Sequence, residues 1–334
     1  MAYACPDGRL GSLLLFDGPL PQYVEPIDTR GWTLQEYILS PRLLAYGLHG
    51  LRFSCRQGVQ QDDEETTERS FSARNNRKLA LLRVVPENIE IARTRWSKIL
   101  LEYSCRTLSH FEDRLLAISG IAKYHSDTLK DDYLAGLWHR DLPGALMWQN
   151  VSAERHPRTR SGWAPSWSWA AIKGAVHKFY EDMPIDPIID IVSHDIQLVE
   201  PAAPFGDVLS GRIYLNARLK AALWDGNLLF SITSPHIEYL ACTIEDALEI
   251  AVTQEVMMQV CCLTMHPYDE LSSQGPSGLI LAQVHEWTFR RLGIFSFKDN
   301  MLDPASRDAF FYSQFNSQQR EWDLSSEYQS VVLV

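Results

Sequence analysis

No Cys-x-x-Cys pair occurs in this chain, and none of its six cysteines (Cys5, Cys55, Cys105, Cys242, Cys261 and Cys262) is grouped with histidine at a zinc-ligand spacing. A structural zinc site is excluded on that pattern, and a disulfide framework is not expected in a chain of 334 residues. Nothing near Met1 resembles a signal peptide, so the expected compartment is the reducing cytoplasm. Long apolar runs are also missing. The longest candidate, residues 240–265, contains Glu245, Asp246, Glu249 and Glu255, too many carboxylates for a membrane span. Positive charge is scarce, with 31 Lys and Arg against 42 Asp and Glu, a net charge of -11. Nucleic-acid affinity comes mainly from cations neutralising phosphates, so no nucleic-acid partner is expected. Arg155, Arg158 and Arg160 form one short basic cluster, read as a solvated loop. Gly-x-Gly-x-x-Gly, Walker, His-Glu-x-x-His and Gly-x-Ser-x-Gly patterns are all absent. The sequence therefore names no catalytic residue, no cofactor and no metal ligand.

What the chain has is apolar and aromatic bulk. Apolar residues make up 46% and charged residues 22%, with ten Trp and thirteen each of Phe and Tyr, so an ordered core is expected. The most informative stretch runs Arg160-Ser161-Gly162-Trp163-Ala164-Pro165-Ser166-Trp167-Ser168-Trp169-Ala170. Pro165 prevents Trp163 and Trp167 from sharing an uninterrupted helix, and the Trp/Ser alternation after it has the period of a half-buried strand. A loop with a proline bend feeding a strand is predicted. Its indoles read as core anchors, with a ligand-stacking platform as the other reading.

Coarse periodicity divides the rest. Thr33 to Glu36 has the form of a capping box and predicts a short helix over 34–39, ending before Pro41. Residues 43–46 and 51–55 flank Gly47 and Gly50 and predict a hairpin. The acidic run Asp62-Asp63-Glu64-Glu65 reads as a surface loop, not a cation site. Between 88 and 126 the period is helical, with Trp96, Ile99, Leu100 and Tyr103 on one face. Ser109 to Glu112 suggests a second capping box. Short helices are predicted through Tyr133, Leu134, Leu137 and Trp138, and again over 143–148. After Trp169 the runs at 188–192, 212–219, 228–232, 259–263, 279–284 and 291–297 are short and rich in branched residues, predicting strands. The expected class is α+β: a helical middle packed on a partial sheet, followed by a mostly antiparallel β-rich C-terminal region, sheet or barrel-like. The expected boundary lies between 1–172 and 173–334.

Several ordered islands resemble the fungal heterokaryon-incompatibility (HET) domain family. These are Arg30-Gly31-Trp32-Thr33-Leu34-Gln35-Glu36 with Leu39 to Arg42, then Trp96 through Ser104, then Asp113-Arg114-Leu115-Leu116-Ala117-Ile118-Ser119-Gly120-Ile121-Ala122, then Tyr133 to Trp138 leading to Leu142-Pro143 and Leu146 to Trp148, and last Ala164 to Ala170. The motif positions carried over are Trp32, Gln35, Glu36, Asp113, Arg114, Gly120, Trp138, Pro165, Trp167 and Trp169. The family's opening strand of the type Tyr-x-Trp-Gly and its Trp-Ile-Asp-x-x-Cys-Ile-x-Gln segment are not found. The resemblance thus implies an N-terminally shortened relative, by deletion or by a mis-assigned start codon.

That resemblance implies fungal non-self recognition or regulated cell-death signalling through a protein partner. A TIR-like NAD hydrolase, or an enzyme converting a small apolar molecule, is a second reading, and a small-molecule ligand stays open. A degenerate fragment is a third. No catalytic site carries over. Cys105 near His110 reads as a buried small hydrophobe and not as a nucleophile with its base. Asp113 reads as a charge at a helix start, Arg114 as a salt-bridge partner of Glu36 or Asp132, and Glu36 as a cap.

Overall fold

The computed structural model describes residues 2–4, 10–12, 25–47, 50–55, 58–61, 82, 86–153, 156–157, 163–178, 185–187, 189–231, 241–247, 254–264, 274–296, 312–316, 321–324 and 328–334. The acidic run at 62–65, the arginines at 155, 158 and 160, and residues 160–162 of the tryptophan segment lie outside them. The chain divides into two compact units, Met1–Val85 and Pro86–Val334. Its class is α+β.

The first unit holds strands β1 (Ala2–Ala4) and β2 (Leu10–Ser12), a 3-10 turn at Pro26–Thr29, helix α1 (Gly31–Leu39), and an antiparallel sheet of β3 (Arg42–Gly47), β4 (Gly50–Cys55) and β5 (Gly58–Gln61). The predicted hairpin is β3–β4, with Gly47 opposite Gly50. Helix α1 begins earlier than its expected capping box. Thr33 lies inside it, its one hydroxyl proton shared between the carbonyls of Ile27 (2.6 Å) and Arg30 (2.7 Å), and the N-cap position falls to Arg30, which makes no side-chain cap.

In the second unit helix α2 (Ile89–Ser104) starts where the Asn88 side chain accepts the Ile91 N–H at 2.9 Å. Its residues Ala92, Trp96, Ile99, Leu100 and Tyr103 are buried at helical spacing. It packs against helix α3 (Leu116–Leu129), which ends with Lys130 in the left-handed region at φ 46°. The second capping box does not form: Phe111–Arg114 is a 3-10 turn without a side-chain cap, and α3 begins at Leu116. Tyr133 to Trp138 is not a helix but a hairpin of β6 (Tyr133–Leu134) and β7 (Leu137–Trp138). Ala135 (φ 44°) and Gly136 (φ 101°) supply the two positive dihedrals of its tight turn. Apolar residues at 133, 134, 137 and 138 suit either structure, because both sides of this hairpin are buried. The stretch 143–148 is likewise a 3-10 turn (Gly144–Met147) leading into β8 (Trp148–Asn150), which pairs with β9 (Val176–Lys178).

The strand-rich remainder comprises β10 (Ile185–Pro187), β11 (Asp190–Leu198), β12 (Val208–Trp224), β13 (Leu228–Ser231), β14 (Ala241–Glu245), β15 (Gln254–Thr264), β16 (Gln274–His285) and β17 (Thr288–Ser296), then the pair β18 (Tyr312–Asn316) and β19 (Glu321–Leu324), and finally β20 (Tyr328–Leu333). Nine of them form one sheet in which β15, β16, β17, β14, β13 and β12 are successive neighbours and β12 pairs again with β15, so the ring closes. Every pairing is antiparallel except β17 with β20. Along β12, Ile213, Leu215, Ala217 and Leu219 are buried at every second position. Closure pairs the edges that so many strands would otherwise leave open.

Candidate functional site

The tryptophan segment is the junction of this second unit, but it is not a strand. Ser168 is as buried as the indoles beside it. Its hydroxyl donates to the Ala135 carbonyl (2.6 Å) and accepts the Ala170 N–H (3.1 Å), which starts a 3-10 turn at Trp169–Ala171. The Trp/Ser alternation is therefore one of apolar rings with an internally satisfied hydroxyl, not of core with solvent.

The two buried indoles point to different layers. Trp167 donates from Nε1 to the Gly211 carbonyl of β12 at 3.4 Å, and its own carbonyl accepts the Trp148 indole N–H at 2.8 Å. A Cβ at position 211 would lie 2.5 Å from Cγ of Pro165 and 3.0 Å from Cζ2 of Trp167, so only glycine lets this segment seat on β12. Trp169 instead meets Tyr103 of α2 edge-on at 5.9 Å and donates to the Gly136 carbonyl at 3.0 Å. Trp163 is half-buried against Phe111.

Two ionisable side chains, Arg114 and Tyr103, flank Trp169. Arg114 is buried, its guanidinium 5.3 Å from the Trp169 ring and 5.5 Å from Phe111, and it donates to the Gly174 carbonyl at 2.8 Å. The Tyr103 hydroxyl donates to the Arg114 carbonyl at 2.7 Å. The expected salt bridge is replaced by cation–π and carbonyl contacts, since a buried guanidinium stacks on aromatic faces at lower desolvation cost. Burial pulls the Arg114 pKa down to about 10, which leaves it protonated at neutral pH. The Tyr103 hydroxyl is pushed up, mainly by burial. The Asp207 carboxyl is raised by burial and then by the neighbouring charge of Asp113. Cys105 is exposed, not buried as expected, because it falls just past the end of α2. Its thiol is raised by partial burial first and by Glu102 second, the opposite of an activated nucleophile. His110 is exposed, 3.6 Å from Glu112.

Trp138 lies in a second aromatic group. Trp96 contacts Trp138 at 5.5 Å, His125 at 5.9 Å and Tyr133 at 6.0 Å. In this group His125 Nε2, the Tyr133 hydroxyl and Trp138 Nε1 are buried without a hydrogen-bond partner among the described residues. A cavity of about 40 Å³ opens beside it, lined in part by Trp96, Trp138 and Trp148. The remaining motif positions are dispersed. Trp32 and Gln35 are half-buried and Glu36 exposed on α1 of the first unit, and Gly120 sits half-buried within α3.

Sequence reasoning missed the most tightly bound side chain. Arg291 of β17 and Asp246 are fully buried and paired through two 2.8 Å bonds, Nε to Oδ2 and an Nη to Oδ1. Arg291 also donates to the carbonyls of Leu146 and Trp148 and lies 3.5 Å above the Trp148 ring. The Asn150 side chain bonds the Asp246 carbonyl at 2.8 Å, and the Arg291 N–H donates to Ser166 at 2.8 Å. The visible signal was the arginine pair Arg290-Arg291 within a strand run, of which the alternation of a strand turns one side chain inward. Saturated by these partners, the pair locks β8 and the tryptophan segment to the closed sheet and offers no free group for chemistry.

Among the described residues no group of three or more His, Cys, Asp or Glu is placed to hold a metal ion, and no helix is long and apolar enough to cross a membrane. No protein-family model, curated protein or solved structure matches the chain.

Proposed function

We propose that this protein acts through protein contacts, as a HET-like component of fungal non-self recognition or cell-death signalling in the cytoplasm. The ordered motif islands motivate the reading. Arg114, Trp138, Pro165, Trp167 and Trp169 are buried packing elements, so a partner has to be met elsewhere on the surface.

One observation carries the contact reading. On β3, Leu44 is 50% and Tyr46 82% exposed, and the two alternate with half-buried Leu43 and Ala45. A strand packed on one face ordinarily turns polar side chains outward. Here a leucine and a tyrosine stand side by side on the exposed face, and tyrosine is among the residues that dominate protein interfaces.

Overexpression in a compatible fungal host tests the reading. Growth arrest is expected, and Leu44→Asp with Tyr46→Asp should abolish it while the protein accumulates to the same level. Normal growth beside a toxic full-length relative would overturn the proposal, and nicotinamide release from NAD by the purified chain would favour the hydrolase reading in its place.

A further inference from the structure

The geometry points to His139 and His194 as a two-imidazole binding site for a transition-metal ion of the zinc class. His139 opens a 3-10 turn at His139–Asp141, directly after the β6–β7 hairpin, and His194 sits at the middle of β11. Their rings meet with centroids 5.1 Å apart and planes tilted by 50°. Both backbones are fixed: the His139 N–H donates to the Asp132 carbonyl at 2.9 Å, and His194 stands opposite Ile213 in the β11–β12 pairing. Both side chains are half-buried, and neither makes a hydrogen bond or an ion pair among the described residues.

The ring separation carries the argument. A tetrahedral ion bound at about 2.0 to 2.1 Å from one nitrogen of each imidazole holds the two centroids about 5 Å apart. The pair therefore already stands at a chelating distance. An imidazole centroid lies nearly on its Cβ–Cγ axis, and rotation about that terminal bond is soft, so either ring can turn a nitrogen toward a shared point without changing the separation. Half-burial leaves room for that turn. Ligand chemistry then selects the ion: imidazole suits Zn²⁺, Ni²⁺ and Cu²⁺, whereas Mg²⁺ and Ca²⁺ take oxygen ligands. Among the described residues no third His, Cys, Asp or Glu completes the set, so water fills the remaining positions and the site is an open one. A bound ion would tie β11, whose one neighbour among the described strands is β12, to the turn that follows β6–β7.

Titration of the full chain with Zn²⁺ in a neutral, non-chelating buffer tests the site, read from the ring resonances of selectively labelled histidine. Saturable shifts of His139 and His194 are expected, with Mg²⁺ giving none. Ni²⁺ in place of Zn²⁺ should broaden these two signals before those of any other histidine, because a bound paramagnetic ion acts first on its own ligands. His139→Gln and His194→Gln each leave a single imidazole, so each should weaken Zn²⁺ binding at the remaining ring by about tenfold or more through loss of the chelate. The two variants lie on different elements, so either one alone still decides the matter if the other fails to fold. No saturable shift of the pair, shifts or broadening centred on other histidines, an equal response to Mg²⁺, or an affinity unchanged in a folded single variant would overturn the assignment.

Discussion

A Cβ on residue 136 would stand 2.4 Å from Nε1 of Trp169, so the turn of the β6–β7 hairpin and the junction indole interlock at a contact only glycine allows. Gly136 also has φ 101°, which an alanine adopts only under strain. Gly226 has the same φ with nothing within 4 Å of its missing Cβ. Gly226→Ala should therefore cost the dihedral strain alone, about 1 to 2 kcal/mol. Gly136→Ala adds an overpacking cost of about 1 to 3 kcal/mol. Urea unfolding of both variants checks this, and equal losses would show that Trp169 yields freely.

Ser168 is the second interlock, placed between two buried indoles with its hydroxyl bonded in both directions. Ser168→Ala removes one acceptor and one donor from a site that water does not reach. The expected loss is about 1 to 3 kcal/mol, measured by denaturant unfolding. A loss near zero would mean that the Ala135 carbonyl and Ala170 N–H find other partners.

These two contacts show where the sequence was legible. Helices α2 and α3 were readable because Trp96, Ile99, Leu100 and Tyr103, and Ile118, Ile121 and Ala122, repeat at helical spacing whatever they pack on. The β-rich remainder was readable from short branched runs cut by Gly, Pro and Asp. The 133–138 hairpin was not, since its four apolar residues fit a buried helix equally well and the deciding information is the backbone sign at Ala135 and Gly136. Serine between tryptophans gave no indication of whether its hydroxyl met water or the Ala135 carbonyl. Long-range pairing was invisible for a different reason. Asp246 and Arg291 are 45 residues apart and meet only because β14 and β17 are neighbours in the closed sheet.

Arg291 and Asp246 give the third prediction. Asp246→Leu leaves a buried guanidinium without its counter-charge and should cost about 3 to 5 kcal/mol. Replacing both, as Arg291→Met with Asp246→Leu, removes the two desolvation costs along with the attraction, and should recover part of that loss. The measurement is a double-mutant cycle by urea unfolding. Losses that simply add would mean that the Leu146 and Trp148 carbonyls, not Asp246, are the essential partners of Arg291.

The last prediction concerns acid. His125 Nδ1 lies 3.2 Å from the Ile121 carbonyl, which can only accept, so Nδ1 carries the proton and Nε2 is a bare, buried lone pair. Burial first, and the charge of Arg95 further down, hold its pKa down at about 4 against an ordinary 6.5, with the Ile121 bond opposing. Between those values the unfolded chain binds a proton that the folded chain does not. The stabilisation is thus complete above the ordinary value and is lost as pH falls toward the folded one, by an amount on the order of 3 kcal/mol. His125→Asn keeps an N–H donor for Ile121 and has no titrating group. Its stability relative to the native protein should therefore rise between about pH 7 and about pH 4.5, read from urea midpoints at the two pH values. Parallel pH profiles would show that His125 takes up its proton as readily in the folded chain as in the unfolded one, so that burial does not hold it neutral.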